Sequence, residues 1–392
     1  MPKKETPGVV RQDGTRGGGH LFTKHVFDDK IRITFLTKNF MKILDNLAKI
    51  KQLDSKNMLG SIELLGQQIK EVEKAVKTIK IPKNYKKFEN IIVCGMGGSA
   101  LGAHLIKSVY KNDLKTPLSI VNGYHLPGFA DKNTLVILSS YSGNTEEVIS
   151  CAVEAKKKKC KIAVIASGGK LATLNKKEKY PALIFTTKNN PCGSPRMGLG
   201  YSIVGQIYLF SKLGLLKVKT EKLKKIPELI GELNKKFGVK VKSILKDVAE
   251  KTKSKSVWFV GAEHLGGSAH IAANQMNENA KRFAGYFLIP ELNHHLMEGM
   301  INPKSNKDNL LFVFIESDLY SDNFKKRFVL TKEILKMNKI NFVSIKAKEK
   351  SALEQTVEIL IMSSYLSFYS AMVEGIDPTD IPFVDLFKAK MK

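Results

Sequence analysis

The sequence predicts an α/β fold: two doubly wound parallel-sheet domains with flanking helices. Two observations carry that expectation. Short β-branched runs alternate with helical segments, and the alternation occurs twice, once on each side of a lysine-rich helical connector. With 392 residues and 43% hydrophobic content, the chain is long enough to fill two cores.

In chain order, residues 1–40 mix Gly, Lys and Thr without sustained periodicity and include Gly17-Gly18-Gly19. They read as a loosely ordered extension, with order expected only around 31–35. Over 40–80, Ile43, Leu44, Leu47 and Ile50, then Ile62, Leu65, Ile69, Val72 and Val76, recur mostly at spacings of three and four. That period predicts two amphipathic helices, ended by Pro82. Strands are expected at 91–94, 118–121, 134–138, 161–165 and 182–185. The connector follows: Pro227 suits a first helical turn, and Leu229, Ile230, Leu233, Phe237, Val241, Ile244, Leu245 and Val248 keep helical spacing. Further strands are expected at 257–260, 286–289, 310–314 and 340–345. The domains read as 41–215 and 216–392.

Composition excludes several classes of function. The net charge of +27 comes from lysines spread along the whole chain, as a solvated surface carries them, rather than concentrated among aromatics as in nucleic-acid binders. It would also steer anionic substrates. Cys94, Cys151, Cys160 and Cys192 contain no CxxC pair, which argues against a zinc site or a disulfide framework and for reduced thiols. No uninterrupted apolar stretch reaches membrane length; the most apolar helix candidate, 352–373, carries Glu354, Gln355 and Glu358. Met1-Pro2-Lys3-Lys4-Glu5 does not lead into a secretory signal, so a cytoplasmic location is expected.

Two loops carry the chemistry. Ser140-Tyr141-Ser142-Gly143-Asn144-Thr145 lies where a strand must turn into a helix at Glu146. Unpaired N–H groups at the helix start, the helix dipole and small hydroxyls together make an anion site; the alternative is that the hydroxyls only cap the helix. Gly95-Met96-Gly97-Gly98-Ser99-Ala100 follows the first strand and formally matches the glycine fingerprint of dinucleotide folds. The next strand, however, runs into Asn122 and Gly123, where an acidic ribose ligand would stand. A phosphate smaller than a nucleotide is therefore expected, against the alternative of a tight turn that only permits close packing. Both loops end strands of one parallel sheet, where ligands collect.

Gly97-Gly98-Ser99, the Ser140–Thr145 loop and Pro195-Arg196 with Gly200-Tyr201 together resemble the sugar isomerase (SIS) domains of the bifunctional phosphoglucose/phosphomannose isomerases. So do Asn277-Glu278-Asn279-Ala280-Lys281, Glu291-Leu292-Asn293-His294 and Asp377-Pro378-Thr379 with Lys388, in order and spacing. The resemblance runs from about 41 to the C-terminus. It implies a phosphohexose isomerase that interconverts glucose 6-phosphate and fructose 6-phosphate, with mannose 6-phosphate as a second candidate aldose. It also implies a homodimer whose histidine reaches the neighbouring subunit's site.

The chemistry explains why such residues are wanted. Aldose–ketose isomerisation moves a proton between adjacent carbons through an enediolate, so one carboxylate must take and return it, and Glu278 is the candidate. Arg196, always charged, suits the enediolate oxygen. His294, assisted by Lys388, suits ring opening, although the neighbouring His295 leaves the histidine assignment open by one place. Gly98, Ser99, Ser140, Ser142 and Thr145 would hold the phosphate. No metal or organic cofactor is required, and neither nucleic acid nor membrane is expected as a partner.

Two stretches depart from the family's pattern: Ile271-Ala272-Ala273 and His295-Leu296-Met297-Glu298. Both are expected near the sugar end of the site. The alternatives are a non-catalytic phosphosugar-binding regulator and another phosphosugar isomerase.

Overall fold

A computed structural model describes residues 43–85 and 87–391. The extension 1–40 and the start of the first expected helix lie outside these residues.

Three helices come first: α1 (Leu47–Leu53), α2 (Met58–Glu63) and α3 (Leu65–Lys77). Two had been expected, and the extra break has a local cause. The Asp54 carboxylate accepts from the N–H groups of Met58 (2.6 Å) and Leu59 (2.9 Å), while left-handed Asn57 accepts from Gly60 N (3.0 Å), so a new helix starts there.

The first sheet is laid down as β1 (Asn90–Cys94), α4 (Leu101–Val109), β2 (Leu118–Val121), β3 (Thr134–Ser140), α5 (Glu146–Lys157), β4 (Lys161–Ala166), α6 (Gly169–Glu178) and β5 (Ala182–Ile184). Its strands are all parallel, in the order β2-β1-β3-β4-β5. Both faces are covered, which is why the inner strands read as unbroken apolar runs. Ile91, Val93, Leu135 and Ile137 face the main core with Ile69 of α3 and Leu105 of α4. Ile92, Cys94, Val136 and Leu138 face a smaller core with Val148 and Cys151 of α5 and Leu171 of α6.

Next come α7 (Gly205–Lys212), α8 (Thr220–Phe237) and α9 (Ile244–Thr252). Because α8 begins at Thr220, Pro227 sits in its interior rather than in a first turn. Packing outweighs the hydrogen bond lost there: a Cβ on Gly66 of α3 would lie 3.2 Å from Pro227 O, so the two backbones nearly touch.

The second sheet follows as β6 (Ser256–Gly261), α10 (Gly266–Ala280), β7 (Ala284–Leu288), α11 (Leu292–Gly299), α12 (Asn306–Asn309), β8 (Leu310–Ser317), α13 (Asp322–Met337) and β9 (Asn341–Ala347). It too is parallel, in the order β7-β6-β8-β9. Helix α14 (Ala352–Glu374) is long and apolar enough to cross a membrane by length and composition, yet 94% of its most apolar window is buried in the fold. It packs on α8, α9 and α10 and reaches α2 and α4, which belong with the first sheet. The last helix, α15 (Pro382–Lys390), buries none of its residues.

Each sheet reverses its winding beside its first strand, between β1 and β3 and again between β6 and β8. Sheets wound this way bind ligands in the crevice outside the carboxyl ends of such strand pairs.

Candidate active site

Both sequence-singled loops lie at the crevice of the first sheet, and Ser99 ties them together. Its Oγ accepts from Tyr141 N (2.9 Å), while its carbonyl accepts from Ser139 Oγ (2.8 Å) and Gln206 Nε2 (2.9 Å). In the second loop the hydroxyls of Ser140 and Thr145 are 2.7 Å apart, Gly143 N donates to Ser140 Oγ (3.1 Å) and Asn144 N donates to Ser142 Oγ (3.2 Å). Gly143 is required for conformation and room alike: its φ is +72°, and a Cβ would lie 1.9 Å from Gly168 O. No side chain caps the start of α5, so its first N–H groups stay available to an anion.

Gly98 joins these loops to the third element of the site. A Cβ there would lie 3.0 Å from Pro195 O and 3.2 Å from Arg196 Cα, so the glycine loop rests directly on the turn that carries Arg196. Arg196 is 2% exposed, and its side chain reaches the half of the chain that follows the connector. Nε donates to Asn279 Oδ1 (2.6 Å), Nη1 to Glu278 Oε2 (3.3 Å), and Nη2 to the carbonyls of Pro378 (3.0 Å) and Thr379 (2.7 Å). A guanidinium has five N–H donors; four are committed to these partners, leaving one on Nη1 beside Glu278. Burial pulls the guanidinium below its ordinary pKa, and the Glu278 carboxylate opposes that pull. Glu278 itself is one-third exposed, so a ligand can reach its carboxylate.

The 377–380 turn is held from several sides. Asp377 Oδ2 accepts from Ser55 Oγ (2.5 Å), Asp377 Oδ1 accepts from Thr379 N (2.7 Å), and Lys56 pairs with Asp380 (2.8 Å). Burial raises the Asp377 carboxyl, but the bonds from Ser55 and Thr379 N outweigh it and hold the group below its ordinary value. Lys281 Nζ donates to Asp377 O (2.7 Å) and Asn279 O (3.3 Å).

Gly98, Ser99, Ser140, Ser142, Thr145, Arg196 and Glu278 thus form one connected set. His294, in α11, and Lys388, in α15, are exposed and make no hydrogen bond or ion pair with that set. Asn279, Lys281 and Ser55 were not among the residues predicted for the site. The motif around Glu278 contained Asn279 and Lys281, but nothing in sequence placed Ser55 beside Asp377. One expectation needs correcting: Ile271, Ala272 and Ala273 are each at most 2% exposed and lie in the main core, because α10 packs between α14 and α4 there. Their side chains are therefore core packing, not a surface that a sugar could touch directly.

A family model described as the bacterial phospho-glucose isomerase C-terminal SIS domain matches residues 242–391. The bifunctional phosphoglucose/phosphomannose isomerase of Aquifex aeolicus (strain VF5) is 30% identical over 318 residues, which are 80% of this chain and 93% of that protein. The chain belongs to the bifunctional phosphoglucose/phosphomannose isomerase family. A second member of the family, from Caldicellulosiruptor bescii, is 29% identical over 342 residues, covering 85% of this chain and 98% of that protein. The family's fold also appears in a solved structure of a hypothetical protein from Thermus thermophilus, with a TM-score of 0.67 at 16% identity over 90% of this chain and 96% of that one.

Proposed function

We propose that the chain is a phosphohexose isomerase interconverting glucose 6-phosphate and fructose 6-phosphate, with mannose 6-phosphate as a second aldose. The observation that carries this reading is the junction at Gly98. One residue joins the candidate anion site to the buried Arg196 and its one-third-exposed partner Glu278, as an enzyme needs if it grips a sugar at one end and moves a proton at the other.

In this mechanism the start of α5 and the hydroxyls of Ser99, Ser140, Ser142 and Thr145 hold the phosphate. Glu278 removes the proton from C2 of the open aldose and returns it to C1 of the enediolate. The uncommitted N–H of Arg196 faces the charge that develops on the enediolate oxygen, while the other four keep Glu278 and the 377–380 turn in register. Ring opening needs an acid, the role assigned to His294 with Lys388. Both are exposed and apart from the Glu278 set within one chain, which fits a homodimer in which a neighbouring copy completes the site. The two sheets support domains at 41–215 and 216–392, with α14 packed on elements of both.

Fructose 6-phosphate formation from each aldose, measured beside Glu278→Gln, tests the activity. Phosphosugar binding without turnover in the unmodified protein would leave a non-catalytic binding protein instead. Mixing inactive Glu278→Gln and His294→Ala chains tests the shared site: recovered turnover supports it, and none after verified subunit exchange rejects it.

A further inference from the structure

Lys281 is a basic group beside the reacting end that the mechanism above does not use. It follows α10, three residues beyond Glu278, and its ammonium bridges Asn279 O and Asp377 O. Both partners belong to the framework around Arg196: Asn279 accepts from its Nε, and the turn that Asp377 opens supplies the two carbonyls that take its Nη2. We propose that Lys281 is a positioning residue whose proton locks the 377–380 turn against Arg196, so that losing this proton loosens the grip of Arg196 on Glu278 and on the enediolate. This inference rests on the isomerase reading and deepens it.

The charges around Lys281 set when the lock is closed. Arg196 faces it from the 195–197 turn, Glu278 from α10, and Asp377 and Asp380 from the turn before α15; Asp380 is shared with Lys56, and Asp54 lies near Asp377. Burial, with Arg196 adding to it, pushes the Lys281 ammonium down to about 8. Below that pH the bond to Asp377 O is charge-assisted; above it a neutral amine makes a weaker one.

The sign of the linked stability separates this role from a merely structural one. A lysine whose folded pKa lies below its ordinary 10.5 is protonated at the expense of the fold, so its contribution to stability rises as pH climbs from about 8 towards 10.5. Activity should move the opposite way over the same window, whereas a residue kept only to hold the fold together would move both alike.

The test uses the full chain and a five-carbon aldonate phosphate, whose carboxylate mimics the enediolate. Its phosphate is already almost wholly ionised above pH 7, so it adds little titration of its own. Affinity is measured by calorimetry, and turnover alongside it, from pH 7 to 9.5. The unmodified chain should lose affinity by about fivefold, the effect of weakening one hydrogen bond by about 1 kcal/mol. Lys281→Arg, a permanent cation, should bind without that fall, and Lys281→Met should bind weakly at every pH. A Lys281→Met profile that kept the unmodified chain's fall, or an unmodified chain without one, would overturn the proposal. Should Lys281→Met not fold, a Lys281→Arg profile with the unmodified fall overturns it equally. Turnover at pH 7 without the pH response sinks this inference alone; neither turnover nor binding sinks the isomerase reading as well.

Discussion

The two sheets wind alike, yet the turns that follow their first strands carry different residues. After β1, Gly97 adopts φ +47° with nothing within 4 Å of where its Cβ would be; after β6, Glu263 adopts φ +43° at the corresponding turn and carries a carboxylate. That carboxylate accepts from Ser321 N (3.2 Å), the residue that precedes α13, and so ties the turn after β6 to the start of that helix. Several other polar groups near these strand ends bond to one another or to nearby backbone. His264 Nε2 lies 2.9 Å from Gln355 Oε1, Ser317 Oγ donates to the same oxygen (2.5 Å), and Tyr320 donates to Ile315 O (3.0 Å) while accepting from Ala262 N (3.3 Å). All of these side chains are buried. Two sheets of the same winding thus carry different polar groups at their strand ends: glycines and small hydroxyls in the first, buried side chains bonded to one another in the second.

If only the first crevice works, substitutions at the two ends must have unequal effects. The largest is expected for Glu278→Gln, which should lower kcat about a thousandfold with KM little changed, because it removes the proposed general base and leaves the proposed phosphate site. Gly98→Ala comes next: its methyl would press on the turn that carries Arg196, and a displacement of that kind should cost about a hundredfold in kcat/KM. Ser99→Ala should raise KM about tenfold and lower stability by about 1–3 kcal/mol in a denaturant titration, since Tyr141 N loses its buried acceptor. In the second crevice, Ser317→Ala should cost about 1 kcal/mol of stability and leave kcat/KM within about twofold. Glu263→Gly should be the smallest, because relieving a positive φ offsets the lost bond to Ser321 N. A large loss of turnover in either of these last two variants would break the comparison.

Much of this was legible in sequence because the relevant forces are local. Strand 118–121 is found at the expected bounds, and the other eight strands overlap theirs, since short β-branched and aromatic runs bounded by turn residues favour extended backbone. The three-piece start of the fold and the interior Pro227 were misread, because capping by Asp54 and contact with α3 outweigh periodicity. Residues within the Glu278 motif could be named because the motif resembles that of the family. Ser55 could not, because it meets Asp377 across 322 positions of chain.

By itself the sequence determined the fold class, the two strand-end loops and the kinds of side chain they carry, since dihedral preference and hydrophobic period act between neighbours. Only the tertiary structure decided that Gly98 presses on Arg196, that four of its five N–H groups are spoken for, and that Glu263 meets Ser321 N. Each of these depends on close approach between segments distant in sequence; for Arg196 and the end of α10, the packing of α10 against α4 helps bring them together.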